Sequence, residues 1–135
     1  MGQLSRKAAI VGVDESDEIG IVPDKSRLQH AAEASFNALE DAALTLNDVD
    51  AVFMAGPSPY DIAEYLGIVP KYTDGTSVGG SSFVIHVEHA LSAISAGLIE
   101  VALIVHGESG RSSRAYAARD PNMPSSQYEH SYGLV

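Results

Sequence analysis

The 135-residue chain contains no cysteine. That excludes disulfide bonds, and it removes the thiolate on which many covalent enzymes rely. Basic residues are also scarce. Eight Lys and Arg stand against eighteen Asp and Glu, a net charge of −10. A surface of that sign repels nucleic acid, and no Lys/Arg block offers a local exception. The one arginine cluster, Arg111, Arg114 and Arg119, would suit a phosphate or carboxylate, or stand as a solvated tail. No apolar run is long enough to span a bilayer, so no membrane partner is expected. Residues 1–7 are mildly basic, but the apolar stretch after them is short and runs into Asp14 and Glu15. That is not a signal-peptide pattern. With no export signal and no cysteine, the expected compartment is the cytoplasm.

What remains is an ordinary globular composition, 45% apolar and 19% charged. The length suits one domain with a buried core. Residues 8–13, AAIVGV, are apolar and rich in β-branched side chains, and read as a buried strand. An acidic loop follows. Ser26 is placed as the N-cap of a helix reaching about Leu44, with Leu28, Ala31, Ala32, Phe36, Leu39 and Ala43 at helical spacing. A second strand covers residues 51–54. The run Gly56-Pro-Ser-Pro59 breaks the chain before a short helix over residues 60–66, which Gly67 and Pro70 end. A short strand is expected at residues 71–74.

The best-defined helix begins near Ser81 or Ser82 and stops at Gly97. Phe83, Val87, Ala90, Leu91 and Ile94 form its stripe. Its other face carries Val84, Ile85, Ser92 and Ala93, so it is apolar nearly all round and expected to be buried on most sides. Residues 101–105 are a fully apolar strand. The alternation of strands and helices predicts an α/β layered domain with a mainly parallel sheet. From Gly107 the chain is Ser-, Arg- and Pro-rich and without periodicity. It includes Tyr116, Tyr128 and Tyr132, which suit a partner contact or an amphipathic surface equally.

Gly79-Gly80-Ser81-Ser82 sits where extended chain hands over to that helix. Helix-start N–H groups there would stabilise an anion or a developing oxyanion, with Ser81 or Ser82 as nucleophile. The same residues also describe a serine cap on a glycine turn. Spacing does not choose between the two, because a serine nucleophile needs a base within reach. His86 and His89 lie three apart rather than in the His-Glu-x-x-His arrangement of zinc proteases, and no third ligand is evident. No metal is expected, and buried hydrogen bonding is the expected role. His106-Gly-Glu108-Ser109 follows the last strand, where open α/β sheets place ligands, or else forms a surface turn.

Three segments together resemble the thiolase superfamily, and specifically the N-terminal half of sterol-carrier-protein-type thiolases. "AAIVGVDES" resembles the first strand. "AAEASFNALEDAALTLNDVDAVFMAG" resembles the first helix and second strand. "VGGSSFVIHVEHALSAISAGLIEVALIVHGES" resembles the nucleophile turn, the central helix and the strand after it. The likeness reaches about Ser113. It implies a thiolase-like layered fold, here half of the N-terminal domain, with a mainly parallel mixed sheet and a buried central helix. Residues 1–113 would be the domain, and 114–135 an irregular tail leading to a remainder absent from this sequence.

The resemblance also implies chemistry. In the family a cysteine at the start of the central helix takes the acyl group, and residues of a C-terminal half move protons. Counted back from Gly97, that cysteine's position falls on Gly80, which has no side chain to acylate. Ser81 and Ser82 are the neighbouring hydroxyls. The implied function is a thiolase-like acyl-CoA protein of lipid or side-chain breakdown, of acyltransferase or carbon–carbon lyase class, not competent alone for cysteine-based thiolysis. The alternative is a non-catalytic acyl-CoA or lipid-binding protein. A coenzyme A thioester is the implied substrate, with no permanently bound cofactor. The implied partners are a second copy of the chain and a small OB-fold subunit. A half-fold would leave its central helix partly uncovered, which marks an interface.

Overall fold

A computed structural model describes residues 4–112. Three parallel strands form its sheet: β1 (Ala51–Met54), β2 (Tyr72–Asp74) and β3 (Ala102–Val105), in the order β2-β1-β3. Three helices accompany them, α1 (Arg27–Asp41), α2 (Pro59–Leu66) and α3 (Ser82–Ser95), with a 3-10 turn at Leu46–Asp48. This is the expected α/β fold with a parallel sheet. Among the described residues no helix is long and apolar enough to cross a membrane. The calls on Arg114, Arg119, Tyr116, Tyr128, Tyr132 and the tail 114–135 lie outside the described residues.

The layers follow from the alternation of β1, whose four residues are all buried. Val52 and Met54 point into a cluster with Ala31, Leu39, Ile62 and Leu66 of α1 and α2. Ala51 and Phe53 point the other way, onto Ala90 and Ala93 of α3. Helices thus cover both faces, as a parallel sheet requires. Burying Phe53, Met54 or Ile62 fully contributes about 1.5–3 kcal/mol each.

Where the strands begin, Asp50 ties them together. Its carboxylate accepts from the Glu100 and Val101 N–H groups at 2.8 and 3.2 Å and meets the Lys71 ammonium at 2.7 Å. The Lys71 hydrogen bond first, then those N–H groups, pull its pKa down to about 2.

Each helix ends in the same way, with the chain turning left-handed. Gly67 (φ 72°) closes α2 and Gly97 (φ 71°) follows α3, while the Ile68 and Leu98 N–H groups reach back to the Ala63 and Ala93 carbonyls. At α1 the left-handed residue is Ala43 (φ 53°), and the Leu44 N–H donates to Leu39 at 2.9 Å. That helix therefore ends at Asp41, short of the expected Leu44. Alanine carries no sequence signal for such a stop.

Two expectations are corrected. Residues 8–13 are not a strand. They run without a ladder, and Ile10 and Val13 are 72% and 71% exposed. The segment lies against α1 instead: a Cβ at Gly12 would collide with the Ala38 carbonyl, and the Val13 N–H donates to the Asp41 carboxylate at 3.0 Å. The Val13 N–H is thereby committed to α1 and not to a sheet neighbour. Second, α3 is buried on one face only. Ser82, His86, Ala90 and Ala93 face the sheet, while Val84 is 74% exposed and Val87 is also open. Its expected stripe instead borders an open groove of about 1860 Å³ beside β3, with Phe83, Leu91 and Ile94 on one wall and Ile10 and Leu39 on others. Hydropathy records how apolar a helix is, not how many neighbours the described chain supplies.

Candidate functional site

Parallel strands deliver all their C-terminal ends to one rim, and the helices begin there. The loop after β3 carries His106, Gly107 and Glu108 back onto the first turn of α1. A Cβ at Gly107 would collide with the Arg27 carbonyl, so only glycine permits this approach. The approach brings Glu108 to Arg27, an ion pair of 2.8 Å between half-exposed side chains. Their separation of 81 residues leaves no trace in local sequence. The only sequence signal for Arg27 is a basic residue directly after a cap. The His106 ring meets Phe83 of α3 at 4.8 Å between centroids, linking this loop to the start of α3.

The glycine turn lies on the same rim and is exposed. Gly79 adopts φ 80°, which a side chain would strain. Gly80 does not share that conformation, and a Cβ built there meets nothing within 4 Å among the described residues. Ser81 occupies the cap position of α3 without making a side-chain cap bond. Ser82 is wholly buried. Its hydroxyl donates to the Gly79 carbonyl at 2.6 Å and accepts from the Val78 N–H at 2.9 Å. The three predicted site residues are thus adjacent but different in kind: Gly80 is an open position, Ser81 a solvated hydroxyl, Ser82 a knot within the turn.

Behind the turn sit the two histidines. His86 is fully buried, and its Nε2–H donates to the Thr76 carbonyl at 3.0 Å; its Nδ1 has no partner among the described residues. This is the buried hydrogen bonding expected of it. His89 is partly exposed and bonds through Nδ1 to the Asp74 carboxylate, whose other oxygen accepts the Thr76 N–H at 2.7 Å. Burial raises the Asp74 pKa, but the hydrogen bonds from Thr76 and His89 outweigh it and leave it lowered. Among the described residues no group of three or more His, Asp or Glu could hold a metal ion.

No protein-family model and no curated protein matches the chain. Solved structures of the thiolase fold do. The Ltp2-ChsH2(DUF35) aldolase superposes with a TM-score of 0.67 and 26% identity, over 93% of this chain and 35% of that one. A 3-oxoacyl-[acyl-carrier-protein] synthase III from Aquifex aeolicus VF5 gives 0.59 and 22%, over 67% and 32%. Xanthomonas campestris OleA, the H285N form with cerulenin, gives 0.59 and 22%, over 64% and 29%. The chain spans about a third of the length of each of these structures. The likeness establishes a thiolase-like fold.

Proposed function

We propose that the chain belongs to an acyl-CoA protein of lipid or side-chain breakdown that cleaves a carbon–carbon bond by a retro-aldol route, without an acyl-enzyme. One observation carries this reading. The helix-start turn that would present a nucleophile offers a vacant position, Gly80, in open space. Ser82 does not replace the missing group, because its hydroxyl is bonded to Val78 and Gly79. Ser81 is exposed, and no base is bonded to it among the described residues. The similarity to an aldolase over 93% of the chain points the same way.

The chemistry needs no thiolate. A base removes the proton of a β-hydroxyl on the acyl group, and the Cα–Cβ bond breaks. The electron pair moves onto the thioester as an enolate, which is reprotonated at Cα. A carbonyl compound and a shorter acyl-CoA leave. Helix-start N–H groups suit the enolate oxygen, because the charge develops there during the reaction. Coenzyme A thioesters are the proposed substrates, with no permanently bound cofactor. The exposed apolar face of α3 supports a covering partner, either a second copy or a small OB-fold subunit. The cytoplasm is the proposed compartment.

The test is incubation with a β-hydroxyacyl-CoA, with and without an OB-fold partner. We expect a free carbonyl product and a shorter thioester, no consumption of free coenzyme A, and no acylated protein by mass spectrometry. Consumption of coenzyme A or a covalent acyl adduct would refute the route. The alternative, a non-catalytic acyl-CoA or lipid carrier, is favoured by the same lack of a bonded base at Ser81. It predicts saturable binding of octanoyl-CoA with no product.

A further inference from the structure

The loop between β2 and α3 has no ladder, so its backbone groups must find partners elsewhere. Two of them go directly to α3, and a third goes to Asp74 at the end of β2. The Thr76 carbonyl takes the Nε2–H of His86 at 3.0 Å. The Thr76 N–H goes to Asp74 at 2.7 Å, and Asp74 is itself bonded to His89. Two residues on, the Val78 N–H goes to Ser82, which donates to Gly79. Thr76 is therefore held at both its N–H and its carbonyl. The anchors, Ser82, His86 and His89, fall at i, i+4 and i+7, one face of α3. Apolar side chains there would bury area without leaving polar atoms to satisfy, and the burial of His86 leaves its Nδ1 unpaired.

We propose that His86, His89 and Asp74 are positioning residues for the Gly79–Gly80 turn: the two imidazoles fix where the turn stands relative to the first N–H groups of α3, and so its fit to the thioester of a bound acyl-CoA. The second half of this statement rests on the acyl-CoA reading above; the first half does not. His89 acts through Asp74, and His86 through the Thr76 carbonyl. The charged groups within 4 Å of the His89 ring, among the described residues, are Asp74 from the end of β2 and Glu88 from α3 itself.

The experiment uses the full chain, with amide NMR spectra and titration with octanoyl-CoA. His89→Ala should move the Thr76, Val78, Gly79 and Gly80 amide resonances while those of β1 stay in place. It should weaken octanoyl-CoA binding by about tenfold or more, as loss of a hydrogen bond to a charged group implies. His89→Asn, which keeps a donor near the Nδ1 position, should restore both. Asp74→Ala, which also removes the Thr76 N–H bond, should move the same resonances at least as far, and it supplies the answer if His89→Ala does not fold. Unmoved turn resonances in these variants, or His89→Asn behaving like His89→Ala, would overturn the proposal. If the wild-type protein binds no octanoyl-CoA but the turn still shifts in His89→Ala and recovers in His89→Asn, the acyl-CoA reading fails and the positioning stands.

Discussion

Two glycine-containing segments on the same rim of the sheet differ in what their glycines are for. In the loop after β3, Gly107 is pressed against the backbone of α1, and a side chain has nowhere to go. In the turn before α3, Gly79 needs glycine for its backbone angle, but Gly80 has an ordinary angle and open space. The first segment is closed by packing. The second is exposed and held from behind by hydrogen bonds. The lack of a side chain at Gly80 is therefore not imposed by the described residues around it.

The sharpest way to break this contrast is Gly107→Ala. The collision is with backbone, which no rotamer change relieves, so a loss of about 3 kcal/mol in urea unfolding is expected. A near-neutral result would show that the contact with α1 is loose. Ser82→Ala tests the turn from behind. It leaves the Val78 N–H without its acceptor and should cost about 2 kcal/mol, read in the same unfolding experiment. Gly80→Cys should change stability by no more than about 0.5 kcal/mol, because its Cβ meets nothing. It should also confer no thiolase activity on these residues alone, since a cysteine without proton-transfer partners does not complete the reaction. Thiolysis by that variant would contradict the proposed function, while a large stability loss would break the comparison.

The smallest effect is confined to acid. Asp74 has a lowered pKa in the folded chain, so its contribution is complete above the ordinary value of 3.8 and is lost as the pH falls through the folded value. Asp50 behaves alike, with its loss running from 3.8 down to about 2. Protection of the Thr76 amide, taken relative to its intrinsic exchange rate at each pH, should therefore fall on acidification below 3.8, and Asp74→Asn should flatten that dependence. Equal acid sensitivity in the Gly107 loop would blur the distinction between the two segments.

Much of the fold was legible because its signals are local. Ser26 caps α1 as read, and α2 starts at Pro59, one residue before the expected Tyr60. Gly67 and Gly97 end helices as read. The end of α1 was misplaced because Ala43 takes the conformation that glycine usually marks. Residues 8–13 have strand composition, yet composition does not say whether an edge is within reach. The site was half legible. Gly80, Ser81 and Ser82 stood out as a turn, and His86 as a buried donor. The pairing of His89 with Asp74, fifteen residues away, and of Arg27 with Glu108, 81 away, was not readable.

By itself the sequence marked the three helices, the strands near residues 51–54, 71–74 and 101–105, and the parallel α/β class. Those follow from periodicity, capping and residue identity, which act over a few neighbouring residues. Only the tertiary structure decided which face of α3 is covered, that the segment over residues 8–13 lies on α1, and which hydroxyl in the turn is already bonded. Those depend on distance and free volume between segments far apart in the chain, and no local rule of the polypeptide encodes either.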